Sequence, residues 1–177
     1  MELRTPNAHA SRWLTEGLIA ASPRTPEELQ EIVTEVGRAP DTWAHAVAFD
    51  ADRWTHRVLY KTEHLEIALF GWSGGQVTAY HDHGGASGAA FVFSGTLAEE
   101  RVVPGGGRSE RRLRVLGPDS TVSFGPADVH RIHHDPADGN AISIHAYTPA
   151  LSEPRDYGFG PEGTLRVITQ EPELQPA

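Results

Sequence analysis

The chain has 177 residues, 15 Lys and Arg against 24 Asp and Glu, a formal charge of −9 with histidine neutral, ten histidines and no cysteine. An acidic chain without a basic block is a poor partner for nucleic acid or an anionic membrane, and the missing cysteine excludes disulfide scaffolds, thiolate metal sites and a cysteine nucleophile. Gly 18 and Pro 13 together make about one residue in six, above the usual share of roughly one in eight, which favours short strands and tight turns over a helix bundle.

From Met1 to Arg12 the chain is polar, and the apolar run Trp13 to Ala21 is interrupted by Glu16 and Gly17. Neither a signal peptide nor a membrane span is expected, and the reading is a cytoplasmic protein. Thr25-Pro26-Glu27-Glu28 forms a capping box with proline at the first helical position; Leu29, Ile32, Val33 and Val36 then build one apolar face, and Gly37 is read as the stop. Two further helices are expected, one around Trp13 and Leu18 and one from Asp41 to Phe49. Residues 1–50 are thus read as a helical cover.

From Arg53 onward the texture changes to short Val-, Ile-, Phe- and Tyr-rich runs. Strands are expected near 53–61, 64–72, 76–83, 89–94, 96–103, 110–115, 120–124, 129–133 and 140–147, separated by breakers such as Ser73-Gly74-Gly75, Gly84-Gly85 and Gly125-Pro126. This spacing implies a sandwich or small jelly-roll barrel over 51–150. Residues 151–177 read as a Pro-rich extension with one more strand at 165–169, able to close over a barrel mouth. The whole is expected to be one domain.

Gly75-Gln76-Val77-Thr78-Ala79-Tyr80-His81-Asp82-His83 concentrates the chemistry. Residues two apart on a strand share a face, so His81 and His83 can both project inward and chelate one ion, while Asp82 points the other way. A bare His-x-His pair is weak evidence for a metal. The spacing from Gly75 through His81 and His83 to Gly95, however, resembles the first cupin motif, whose family is a jelly-roll barrel with a metal in its mouth. That motif normally carries glutamate where this chain has Gly88. His130, after Gly125-Pro126 and at the start of an apolar strand, matches the position of the second motif. His133 and His134, beside Asp135-Pro136, are expected in a solvated loop. Imidazole ligands suit iron, zinc, copper or nickel, and three neutral histidines leave an ion its full charge.

Ala141 to Pro149 alternates strictly: Ser143, His145 and Tyr147 share one face, Ile142, Ile144 and Ala146 the other. In line, the three polar residues can form a hydrogen-bond relay that fixes a phenol proton. Together with His81-Asp82-His83-Gly84-Gly85, Ser87-Gly88-Ala89 and His130-Arg131-Ile132, this segment resembles the cysteine dioxygenase family, from about Trp54 to Pro149. The resemblance implies an all-β cupin jelly roll and one Fe(2+) per chain, held by His81, His83 and His130. It further implies oxidation of L-cysteine by O2 to cysteine sulfinic acid, with Ser143, His145 and Tyr147 as the relay. An arginine on an early strand binds the substrate carboxylate in that family; Arg57 is the choice here, with His56 as the alternative register. Relatives acting on 3-mercaptopropionate carry glutamine there, and no glutamine lies near this segment. The family's cysteine–tyrosine crosslink is not available, because Gly88 stands at the cysteine position. Trp72 resembles a family position but reads first as core packing. The remaining alternatives are a dioxygenase of another small thiol and a non-catalytic metal-binding cupin. Expected partners are the thiol and O2, with no nucleic acid or membrane, in a monomer or weak oligomer.

Overall fold

The computed structural model describes residues 23–103 and 109–168. The helix expected around Trp13 and Leu18 lies outside the described residues, as does the end of the 165–169 strand. No described helix is long and apolar enough to cross a membrane.

Helix α1 (Pro26–Gly37) begins as its capping box dictates. The Glu28 amide donates to Thr25 Oγ1 at 3.2 Å, and the Thr25 amide donates to Glu28 Oε2 at 2.7 Å. Leu29, Val33 and Val36 are fully buried, each contributing about 1.5–3 kcal/mol of apolar burial. Gly37 falls inside the helix rather than after it. A Cβ there would lie 2.3 Å from Phe91 Cδ1, so the glycine lets the helix end press onto the sheet.

The third helix, expected from Asp41 to Phe49, is replaced by two 3-10 turns, Pro40–Thr42 and Ala44–Ala46. Trp43 explains the difference. Its indole N–H donates to the Val36 carbonyl at 2.7 Å, and its buried ring sits edge-on to Phe93. The Val36 carbonyl, which also accepts from the Ala39 amide, lies in the last turn of α1, and reaching it folds the chain back at once. Among the described residues, therefore, the cover contains one α-helix, not three.

Among the described residues eleven strands follow: β1 (Thr55–Lys61), β2 (Glu66–Trp72), β3 (Tyr80–His81), β4 (Ser87–Ser94), β5 (Leu97–Val103), β6 (Glu110–Leu116), β7 (Thr121–Phe124), β8 (Val129–His133), β9 (Ala141–Thr148), β10 (Asp156–Phe159) and β11 (Leu165–Val167). They form a five-stranded sheet in the order β1-β2-β9-β4-β7 and a six-stranded sheet in the order β11-β10-β3-β8-β5-β6. All pairings are antiparallel, as expected of a jelly roll. The 76–83 strand shrinks to Tyr80–His81, with Val77 making only an isolated bridge to His133. Strand β10 was not anticipated; β11 pairs with it at the edge of the second sheet.

The central strands β2, β9 and β4 of the five-stranded sheet are largely buried on both faces, while the edge strand β1 is mostly exposed. Ile67, Leu69, Phe91, Ile144 and Ala146 face outward, where α1 and Trp43 cover them. Ala68, Phe70, Trp72, Ala90 and Tyr147 face the barrel interior. A sheet covered on both sides reads as an apolar run rather than an alternation, which is why every residue of β2 is buried.

Candidate active site

The antiparallel register places His81 of β3 directly opposite His130 of β8, so their side chains project from the same face. His83, two residues on, joins them. One ring nitrogen from each of the three lies within 4.8 Å of the others. His83 Nε2 and His130 Nε2 approach to 3.3 Å, about the separation two nitrogens have when each bonds one ion at about 2.1 Å. Burial, then the neighbouring His130, lowers His81 to about 4, and burial with His130 and His81 lowers His83 to about 2. Neutral imidazoles with converging lone pairs are the state a divalent ion requires.

The second nitrogens orient the rings. His81 Nδ1 donates to the Ala79 carbonyl at 3.0 Å, and His130 Nδ1 donates to Glu99 Oε1 at 2.8 Å. His83 Nδ1 is buried with no hydrogen-bond partner; its ring is held by stacking on Phe124, centroids 4.1 Å apart. Glu99 was missed in the sequence. It lies in phase with Leu97 and Arg101 on the inner face of β5, opposite Ile132, and an in-phase carboxylate on a half-apolar strand was the signal available. Burial pushes its carboxyl up, but hydrogen bonds from His130 and Arg101 outweigh that and leave it lowered. Glu99 is thus the carboxylate hydrogen-bonded to the histidine cluster among the described residues.

Asp82 faces away from the cluster, as its strand parity predicts, yet is buried. It accepts from the Gly84 and Arg155 amides, from Arg155 Nε at 2.7 Å and from Tyr157 Oη at 2.8 Å. Burial opposes its charge, but these donors hold the carboxyl well below the usual carboxylate range. The latch fixes β10, and through it Leu151, Pro154 and Asp156, which line the site.

Ser143, His145 and Tyr147 face the same interior. Ser143 Oγ lies 2.9 Å from His145 Nε2, and Tyr147 Oη 3.2 Å from His145 Nδ1. The chain of bonds starts one residue earlier, at Trp72, whose Nε1–H donates to Ser143 Oγ at 3.0 Å. An indole N–H can only donate. Ser143 Oγ, with one proton and a second lone pair, bonds His145 Nε2 as well. Burial lowers His145 to about 3, so the ring is neutral and carries one proton. Burial pushes Tyr147 up, so the phenol stays protonated. With the His145 proton on Nδ1, the Tyr147 O–H is free to donate into the cavity, its ring 5.6 Å from that of His83. Trp72 therefore anchors the relay at Ser143 as well as packing the core.

Gly88 sits opposite Tyr147 and Phe124. A Cβ at 88 would fall 2.2 Å from Phe124 Cε2, so the Phe124 ring that stacks on His83 occupies the space of any side chain there.

Arg57 is not brought to the site. It is exposed and pairs with Leu69, on the face turned toward the helical cover. His56 pairs with Phe70 on the inner face, its ring 4.9 Å from that of Phe70, which in turn lies 4.4 Å from His145. The two-residue period of β1 decides between them. The solvated loop expected for His133 and His134 is also not found. His133 ends β8, half-buried beside Glu100, and His134 is buried between the carbonyls of Thr96 and Gly139, at 2.9 and 2.8 Å.

His81, His83, His130, His145 and Tyr147 border a cavity of about 320 Å³ that reaches to Trp54, Phe70 and Leu151.

The family model described as cysteine dioxygenase type I matches residues 12–158. No curated protein matches the sequence. Among solved structures, an uncharacterized conserved protein with a double-stranded β-helix domain from Klebsiella pneumoniae superposes with TM-score 0.53 at 17% identity, covering 63% of this chain and 84% of that one. KdgF from Halomonas sp. superposes with TM-score 0.50 at 16% identity, over 61% and 91%. TT1209 from Thermus thermophilus does so with TM-score 0.50 at 15%, over 60% and 93%. At these identities the likeness concerns the barrel alone.

Proposed function

The chain belongs to the cysteine dioxygenase type I family, and from that premise we propose that it is a non-haem iron thiol dioxygenase converting a small thiol to its sulfinic acid. The observation that carries this reading is the convergence of His81, His83 and His130 beside a protonated phenol held at the end of a Trp72–Ser143–His145 relay. His81, His83 and His130 are the residues that would hold Fe(2+). Bound there, the ion would supply open positions for a thiolate and for O2, and the redox chemistry between them.

The protein's own groups have separable tasks. Glu99 orients His130 and offsets part of the ion's charge. Trp72, Ser143 and His145 keep the Tyr147 proton aimed at the reacting sulfur and oxygen, where a hydrogen bond steers the oxygen atoms. Phe70, Trp72 and Ile132 line the cavity and exclude water. Both oxygen atoms end on sulfur, which loses the four electrons that O2 gains, so no further reductant is required.

L-cysteine, giving cysteine sulfinic acid, is the substrate the family resemblance implies. Another small thiol is the second reading, and the outward position of Arg57 favours it. A non-catalytic cupin is disfavoured, because a binding module has no use for an oriented phenol.

Anaerobic loading with Fe(2+), followed by oxygen uptake and sulfinate detection across a panel of thiols, tests the proposal. One sulfinate per O2 is expected with at least one thiol; no turnover with any would refute it. His83→Ala is expected to lose iron retention, and full retention would refute the ligand set.

A further inference from the structure

The walls of the cavity narrow the substrate class. Among the described residues no lysine or arginine lines it, whereas Asp156 does. Three cations on neighbouring strands are committed elsewhere. Lys61 lies 2.6 Å from Glu66, Arg155 is bound to Asp82, and Arg101 is bound to Glu99, Asp128 and the Ser123 carbonyl. On β1, His56 is turned to the inner face opposite Phe70, next to the cavity wall. Burial lowers its pKa, with Glu66 opposing.

The rest of the wall is apolar. Trp54, Phe70 and Trp72 form an aromatic flank, with centroids 5.6 to 6.1 Å apart, and Val77, Ile132 and Leu151 complete it. A cavity of about 320 Å³ is at the low end of the roughly 300–1,000 Å³ that hold drug-sized ligands, and roomy for a molecule the size of cysteine. A carboxylate carried onto the aromatic flank would lose its hydration, meet no cationic side chain among the described lining residues, and have Asp156 on the wall.

Resting on the dioxygenase reading, we propose that the site takes thiols that carry no carboxylate, with an uncharged, apolar body lying against Trp54, Phe70 and Leu151. The sulfur end reaches the three histidines and Tyr147, and the body occupies the aromatic flank. The reaction balances as R–SH + O2 → R–SO2H, the body taking no part.

The test compares each acid with its ester, which changes only the carboxylate: 3-mercaptopropionate against its methyl ester, and L-cysteine against its ethyl ester. With iron-loaded protein, each ester is expected to show kcat/KM for sulfinate at least tenfold above its acid. In the metal-free protein, quenching of the cavity tryptophans should give a Kd for the methyl ester at least tenfold below that for the acid. His56→Arg, which installs a cation on the inner face, is expected to shift the ester-to-acid ratio at least tenfold toward the acid. Equal or better turnover of the acids overturns the substrate class while leaving the dioxygenase standing, as does an unchanged ratio in the variant. Sulfinate from none of the four overturns the substrate class, and turnover of no thiol across the wider panel overturns the dioxygenase reading with it.

Discussion

Glu99→Gln is the substitution that isolates what the buried carboxylate does for the histidine cluster. Glu99 is the one anionic group hydrogen-bonded to the three rings: His81 is oriented by a neutral carbonyl and His83 by stacking. Outer partners of this kind change metal affinity by about 10–100-fold when mutated. Glutamine keeps an acceptor for His130 Nδ1–H and removes only the charge, so the loss should fall near the lower end, about tenfold or 1.4 kcal/mol. Glu99→Ala also frees the ring to turn and should approach 100-fold. Arg101 keeps Asp128 and the Ser123 carbonyl in either variant, so the fold has no reason to fail. Competition for Fe(2+) against a chelator, with melting of the metal-free protein as control, provides the measurement. Glu100→Gln is the internal comparison, because Glu100 faces the other side of β5 and binds Arg131. Affinity of Glu99→Gln within twofold of the unmodified protein, or an equal loss in Glu100→Gln, would refute the assignment.

Trp72→Phe keeps an aromatic ring but removes the donor that anchors Ser143, so the relay holding Tyr147 loosens. Sulfinate formed per O2 consumed should fall while iron content stays, with about 0.5–1.5 kcal/mol lost in denaturant unfolding; an unchanged yield would contradict the anchoring role of Trp72. Gly88→Cys must displace Phe124 from His83, and a destabilisation of about 1–3 kcal/mol by denaturant titration is expected for such overpacking; an unaltered midpoint would show that the space is free. Asp82→Asn should unlatch β10 and speed amide exchange across residues 156–167 without changing exchange in β9. Since folding lowers the Asp82 pKa, its contribution is fully present above the ordinary carboxylate range and fades only as pH falls through the lower folded value. Exchange at 156–167 that is already faster at pH 5 than at pH 7, after correction for intrinsic rates, would contradict that sign.

Much of this protein follows from local rules. The capping box and i, i+3, i+4 face of α1, the glycine-punctuated strands, and the shared face of Ser143, His145 and Tyr147 are consequences of backbone periodicity, which a linear chain displays openly. His81 and His83 belong with them, since a two-residue spacing on extended chain needs no partner to define a common face. Long-range pairing decided the rest. Only the His81–His130 register makes three ligands of a pair and a distant single residue, and only β5 lying beside β8 brings Glu99 to His130. Trp72 looked like core because its bond to Ser143 spans 71 positions. The Asp41–Phe49 helix failed because burying one indole against Val36 outweighed local propensity. At His56 and Arg57 the sequence contained a true ambiguity: adjacent residues on a strand face opposite ways, and composition is the same in either register. The pairing of β1 with β2 turned Arg57 outward and His56 inward, because a side chain's face is a property of the sheet it joins.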